Sequence, residues 1–382
     1  MVFGSATPSI EAFYQAQRNE ISLVKLDKRI DGASLPIITL VDMREELSNN
    51  NKSIFSKQLY EEINLRLIKK EQIILFLNRR GFSTFVSCRK CGFVFKCPNC
   101  DIALTYHNNG RLVCHYCGHH ESSRSLCPSC GSKYVKYFGI GTEKLEAEIK
   151  RVFPQARVIR MDFDTTRRKN SYEQIYNDFK QGNADILLGT QMIAKGLDFP
   201  NVTLVGVISA DLSLNLPDYR SAERTFQLIT QVAGRAGRDK KPGKVIVQTY
   251  TPHHYSLQCA KNYDYMGFFN DEIKIRELMN DPPFSKILSI ILSSEKEDIL
   301  IKKSNEVGIV LKDKYKEHSF EVLGPSPCIL SKIKNVFRWQ LILKGSISSQ
   351  VAASIKSDLY GLIKDVYNDI RINIDVNPNS LL

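Results

Sequence analysis

Eight of the ten cysteines fall in four C-x-x-C pairs: Cys88/Cys91, Cys97/Cys100, Cys114/Cys117 and Cys127/Cys130. Eight thiolates suffice for two tetrahedral zinc ions, and four sulfurs on each ion leave no position open for water or substrate. Structural zinc is therefore the chemistry expected. Four pairs can combine in three ways. Ile102 to His107 and Arg111 to Cys114 flank Asn108-Asn109-Gly110, a good hairpin turn that brings the second and third pairs face to face. The expected arrangement is nested, with Cys97, Cys100, Cys114 and Cys117 on one ion and Cys88, Cys91, Cys127 and Cys130 on the other. Gly92, Gly118 and Gly131 each follow the second cysteine of a pair, where the chain must turn tightly around a metal. The nearby His107, His115, His119 and His120 are read as surface or contact residues, and Cys259 and Cys328 as buried thiols.

A second constellation suits phosphate. Gln231, Gly234, Arg235, Gly237 and Arg238 close a long helix, and two arginines three residues apart are expected on one helical face. Paired guanidinium groups can stabilise charge on a transferring γ-phosphoryl group. Upstream, Gly189, Thr190, Gln191, Lys195, Gly196 and Asp198 follow an apolar segment, Asp185 to Leu188. That places polar and glycine residues at the carboxyl end of a parallel strand, where such sheets bind ligands.

These residues need a scaffold, and the chain of 382 residues is long enough for two or three domains that each bury a core. Apolar runs at 72–78, 185–188, 202–208 and 244–250 read as buried strands. They alternate with helices at 56–70, 142–152, 171–182 and 221–232, and a further strand spans 157–162. A Ser171/Gln174 capping box and Gly182 are expected to bound one helix. This alternation predicts a parallel sheet with helices on both faces. Between Cys88 and Cys130 the sequence lacks apolar content and reads as an insertion held by metal. Beyond Asp281-Pro282-Pro283 the order strand, helix, two strands, helix, strand predicts a ferredoxin-like α+β domain.

The formal charge of +12 suits a polyanionic partner. Residues 79–136 carry nine Lys or Arg against Asp101 and Glu121, so the insertion stays basic after two Zn2+ bind eight thiolates. Phe93, Tyr106 and Tyr116 there are expected to be exposed for base stacking, whereas Trp339 is expected to be core. No apolar run approaches the ~20 residues that cross a bilayer, and no signal peptide is evident, so no membrane association and a cytoplasmic address are expected.

Residues 189–200 resemble helicase motif V, 231–238 resemble motif VI, and Ser5 to Ser9 resembles motif III. Together with Leu77-Asn78-Arg79-Arg80-Gly81, the cysteine pairs, Asp281-Pro282-Pro283-Phe284, Gly324-Pro325-Ser326-Pro327 and Arg338-Trp339-Gln340, they make the chain similar to the primosomal replication-restart helicases of superfamily 2. The resemblance implies a RecA-like second helicase lobe at 43–86 and 132–270. It also implies a two-zinc module inserted at 87–131, a C-terminal domain at 283–382, and a first-lobe remnant with linker at 1–42. Arg235 and Arg238 would be arginine fingers, Gln231 would help sense nucleotide, and Gly196 and Asp198 would couple the γ-phosphate to lobe movement. Thr190, Gln191, Arg79 and Arg80 would contact DNA.

Members couple ATP and Mg2+ to 3′–5′ unwinding at abandoned forks, so single-stranded and forked DNA, other primosome proteins and single-strand-binding proteins are the implied partners of a monomer. The family's pairing of zinc ligands is the nested one. No G-x-x-x-x-G-K-[ST] loop or Asp-Glu-x-His motif is present, and Gly139 to Lys144 has the wrong spacing. A fragment or truncated frame, inactive alone, is expected. The competing expectation is a non-enzymatic zinc-ribbon DNA-binding or adaptor protein.

Overall fold

The computed structural model describes residues 2–26, 35–78, 85–107, 110–137, 141–168, 170–194, 198–237 and 242–381. Its largest element is a six-stranded parallel sheet made of β1 (Ile37–Asp42), β2 (Gln72–Phe76), β8 (Val158–Met161), β9 (Ile186–Gly189), β10 (Val202–Val207) and β11 (Lys244–Thr249), in the order β1-β11-β10-β2-β9-β8. Alternate residues of each inner strand feed opposite faces. Ile74, Phe76, Leu187, Val205 and Val247 enter one core with α1 (Ile10–Gln17), α5 (Ser171–Lys180), α7 (Ser221–Ala233), α8 (Tyr255–Lys261) and α9 (Tyr265–Leu278). Ile73, Leu75, Leu188, Leu204 and Ile246 enter the other with α3 (Lys57–Ile68) and α4 (Thr142–Val152). Two short helices, α2 (Met43–Ser48) and α6 (Asp211–Leu214), connect these elements. Burial on both faces explains why the inner strands read as unbroken apolar runs.

Two features were not anticipated. Strand β1 pairs with β11 along its whole length, and α1 places Ile10 and Phe13 in the lobe's core, so the lobe's packing extends upstream of residue 43. The Ser171 capping box does not form. Asn170, at φ 68°, is the N-cap, and Ser171 Oγ instead donates back to the Arg168 carbonyl at 2.6 Å. Gly182, at φ 80°, ends the helix as expected.

The C-terminal domain is an antiparallel sheet of β12 (Lys286–Ser294), β13 (Phe320–Ile333), β14 (Val336–Gly345) and β15 (Arg371–Val376), ordered β13-β14-β12-β15, with α10 (Glu297–Lys314) and α11 (Ser349–Leu362). That order is the ferredoxin-like one read from the sequence. Trp339 packs, partly buried, on its core.

An ion-pair cluster fastens α1 to α7 and α9. Arg276, 1% exposed, contacts Glu11 (3.0 Å), Glu223 (2.6 Å) and Glu272 (2.8 Å). Burial alone would favour the neutral guanidine, but the three carboxylates outweigh it and raise its pKa above the ordinary value.

Candidate metal centres and phosphate-sensing motifs

The inserted module has little regular structure: β3 (Val86–Cys88) pairs with β7 (Val135–Tyr137), and β4 (Thr105–His107), β5 (Arg111–Val113) and β6 (His120–Ser122) form a small meander. Its order lies in four tight turns. Gly92, Asp101, Gly118 and Gly131 donate their N–H groups to the carbonyls of Cys88, Cys97, Cys114 and Cys127 at 2.8–3.0 Å. The three glycines have φ of 67–80°, and Asp101 takes φ 52° where the second pair has no glycine.

These turns assemble two clusters, Cys88/Cys91/Cys127/Cys130 and Cys97/Cys100/Cys114/Cys117, with the sulfurs of each within 4.8 Å of one another. Opposed sulfurs lie 3.6–3.7 Å apart in the pairs Cys88–Cys130, Cys91–Cys127 and Cys97–Cys117. A tetrahedron of Zn–S bonds of about 2.3 Å has an edge near 3.8 Å, so the donor set fits zinc. The nested pairing is the one observed, and no histidine belongs to either cluster.

The module is wedged between its neighbours. His115, fully buried, donates from Nδ1 to the Pro327 carbonyl at 2.7 Å, and its own carbonyl accepts from Ser326 Oγ (2.8 Å) and Gln340 Nε2 (2.6 Å). Burial pushes the His115 imidazole down to about 4, which keeps the ring neutral and leaves Nε2 to accept from His107. Tyr116 is not the exposed stacking residue expected. It is 5% exposed, and its hydroxyl accepts from the Tyr219 N–H at 3.2 Å. Phe93 and Tyr106 are half-buried against the same shared core. On the lobe side, Arg89 Nε donates to Tyr250 Oη at 2.7 Å, just beyond β11.

The glycine- and proline-containing tail motifs, read in sequence only as family markers, thus form a receptacle for the third cysteine turn. Gly324 leaves the room, since a β-carbon there would approach the Gln340 carbonyl to 3.0 Å and the Tyr116 carbonyl to 3.6 Å. No local spacing signals such a contact, because the partners lie 211 and 225 residues apart.

In the lobe, Thr190 and Gln191 follow β9 at the carboxyl edge of the sheet. Gln191 Nε2 donates to Asn78 Oδ1, at the end of neighbouring β2, at 3.0 Å. Gly189 must be glycine, because a β-carbon would lie 2.7 Å from Ile193 and 2.8 Å from the Met161 carbonyl. Ile193 and Phe199 are both buried against α7, alongside Ile229, Val232 and Ala233, and residues 195–197 lie outside the described residues. Exposed Asp198 lies near the amino end of β10.

Gln231 is exposed on the last turn of α7, which ends at Ala233. Arg235, half-buried, therefore stands in the turn beyond the helix and not on the helical face expected for it. Gly237, at φ 68°, redirects the chain and donates its N–H to the Val202 carbonyl at 3.0 Å. Gly243 packs on this turn, since a β-carbon there would meet Ala236 and Gly237 backbone at 2.5–2.7 Å. The structure thus puts Thr190 and Gln191 at one end of the sheet, and Asp198 and Arg235 at the other. Arg79, Arg80, Gly196 and Arg238 lie outside the described residues.

Three family models match the chain: the helicase conserved C-terminal domain over residues 131–240, the PriA DNA helicase Cys-rich region over 97–121, and the primosomal protein N C-terminal domain over 277–379. Proteins called replication restart protein PriA are similar over the whole chain or nearly so. The one from Bacillus subtilis (strain 168) is 47% identical across 100% of this chain and 48% of its own length. The corresponding figures are 43%, 100% and 46% for Synechocystis sp. (strain ATCC 27184 / PCC 6803 / Kazusa), and 40%, 99% and 50% for Chlamydia trachomatis serovar D. The chain spans about half the length of these curated relatives. Its parallel sheet, paired four-cysteine clusters and antiparallel C-terminal sheet, together with these matches along the chain, place it in the PriA family of superfamily 2 replication-restart helicases, of which it is the C-terminal portion.

Proposed function

We propose that this chain is the second motor lobe of an ATP-driven 3′–5′ DNA helicase that acts at stalled forks during primosome assembly, with its zinc module and C-terminal domain attached. The observation that carries the reading is the segment from Thr190 to Val202. Its described ends lie at the carboxyl edge of the sheet, where DNA contacts are assigned to Thr190 and Gln191, and beside the turn that holds Arg235, with Ile193 and Phe199 buried against α7 between them. A segment packed along α7 in this way can couple events at its two ends, because packed cores move as units and do not deform smoothly. Arg235 and Arg238 act as arginine fingers on a nucleotide whose β- and γ-phosphates and Mg2+ are held by a first lobe. Gln231 senses the nucleotide, Gly196 and Asp198 relay its state, and Arg79 and Arg80 add DNA contacts. The two zinc ions are structural. Partners are single-stranded and forked DNA, primosome proteins and single-strand-binding proteins.

Two measurements test this. With saturating single-stranded DNA and Mg-ATP, the 382-residue chain hydrolyses no ATP, and measurable turnover overturns the requirement for a first lobe. In a full-length protein carrying this lobe, Arg235→Ala lowers DNA-stimulated ATPase by about 10³-fold or more, the usual weight of an arginine finger. An unchanged rate replaces the motor reading with a zinc-ribbon adaptor.

A further inference from the structure

The loop after β8 is anchored more firmly than its surface position requires. Asp162, 4% exposed, accepts from the N–H groups of Asp164 (3.1 Å) and Thr165 (2.9 Å) and from Thr142 Oγ1 (2.7 Å). Its carbonyl accepts from the Thr166 hydroxyl at 2.7 Å. Yet the residue between these anchors, Phe163, is 72% exposed. The Arg167 guanidinium sits 5.2 Å from its ring centroid and is itself steered by Asp164 at 3.0 Å. One face of the ring is thereby backed by a cation and the other is presented to solvent. Arg168 follows Arg167 in the chain and is also exposed.

This loop lies beside the predicted DNA contacts. Thr190 N–H reaches the Met161 carbonyl at 3.4 Å, and Thr166 Oγ1 reaches Met192 Sδ at 3.6 Å. An open aromatic face backed by an arginine, with a second exposed arginine following in the chain, matches a ligand that offers flat π-systems joined by phosphates. Unpaired bases present such faces, whereas a duplex keeps them stacked inside. We propose that Phe163, backed by Arg167, is a stacking platform for one base of single-stranded DNA entering at the carboxyl edge of the lobe. The inference rests on the assignment of that edge to DNA.

The test is fluorescence anisotropy of a labelled single-stranded oligonucleotide titrated with the whole chain. Phe163→Ala weakens binding by about 5- to 150-fold, the range for loss of one stacked base, and Phe163→Trp retains it. On an oligonucleotide of abasic residues, wild type and Phe163→Ala bind alike. Thermal unfolding stays unchanged in both variants, as the exposure of the ring requires. Wild-type affinity in Phe163→Ala, or an equal loss on the abasic strand, overturns this inference alone. A chain that binds no single strand at all overturns the DNA assignment under Proposed function as well.

Discussion

The parallel sheet and the cysteine module solve the same problem by opposite means. In the sheet, strands such as β2 and β10 are buried along their whole length on both faces, and each fully buried Leu, Ile or Phe contributes about 1.5–3 kcal/mol. Order there comes from area. The module's strands are three residues long, and most of its apolar residues complete a core by sharing it with Ile287, Ile342 and Leu381 of the C-terminal domain, while Ala103 and Val94 pack into the lobe. Order there comes from eight sulfurs and a borrowed wall. One region carries its stability wherever it goes, and the other depends on metal and neighbours.

Chelation should separate the two most widely. Stripping zinc removes on the order of 10 kcal/mol from a four-thiolate site, so hydrogen exchange should become fast across residues 86–137 while the amides of β10 stay protected. Equal deprotection of both regions would show that the module is not the metal-dependent part. The converse experiment is Arg276→Ala, which leaves Glu11, Glu223 and Glu272 facing one another in a buried site. A loss of about 3–5 kcal/mol in denaturant unfolding of the lobe is expected, with zinc retention unchanged.

A smaller effect probes the borrowed wall. Gln340→Ala removes one of two donors to the His115 carbonyl, the Ser326 hydroxyl remaining, which should cost about 0.5–1.5 kcal/mol and speed zinc release to a colorimetric chelator from the Cys97/Cys100/Cys114/Cys117 site only. Equal release from both sites would break the asymmetry. The smallest effect is in pH. Burial would raise the Asp162 carboxyl, but hydrogen bonds from Thr142 and Thr165 and the charge of Arg160 outweigh it and hold it below the ordinary 3.8. Its contribution is therefore present above that value and lost as pH falls through the lower folded value. Thermal unfolding of Asp162→Asn should lack this acid-side loss.

Much of this was legible in the sequence, for identifiable reasons. Fully buried strands and C-x-x-C pairs are local signals, and the antiparallel turn expected between 102–107 and 111–114, whose strands do pair, reduced three cysteine pairings to one, the nested pairing now seen in the clusters. The C-terminal order of elements likewise determined its sheet. What escaped depends on long-range packing. Tyr116 looks like a surface aromatic until Gly324 and Tyr219 close over it. The helical-face argument for Arg235 failed because Gly237 bonds to Val202, 35 residues upstream, and so ends the helical path early. Edge strand β1 is as long as β10 and β11 but has only Ile38 fully buried, so its sequence lacks their unbroken apolar signal and its pairing with β11 makes it a strand.

The guanidinium of Arg220 carries a practical message for anyone handling this polypeptide. It reaches Glu11 at 2.7 Å and the Asn379 side chain at 3.5 Å, while Leu381 N–H bonds Asp218 at 3.2 Å and its side chain is 5% exposed. Trimming of the last few residues would disturb a seam shared by three domains; labels are better sited on the solvent face of α10, at Lys302 or Asn305.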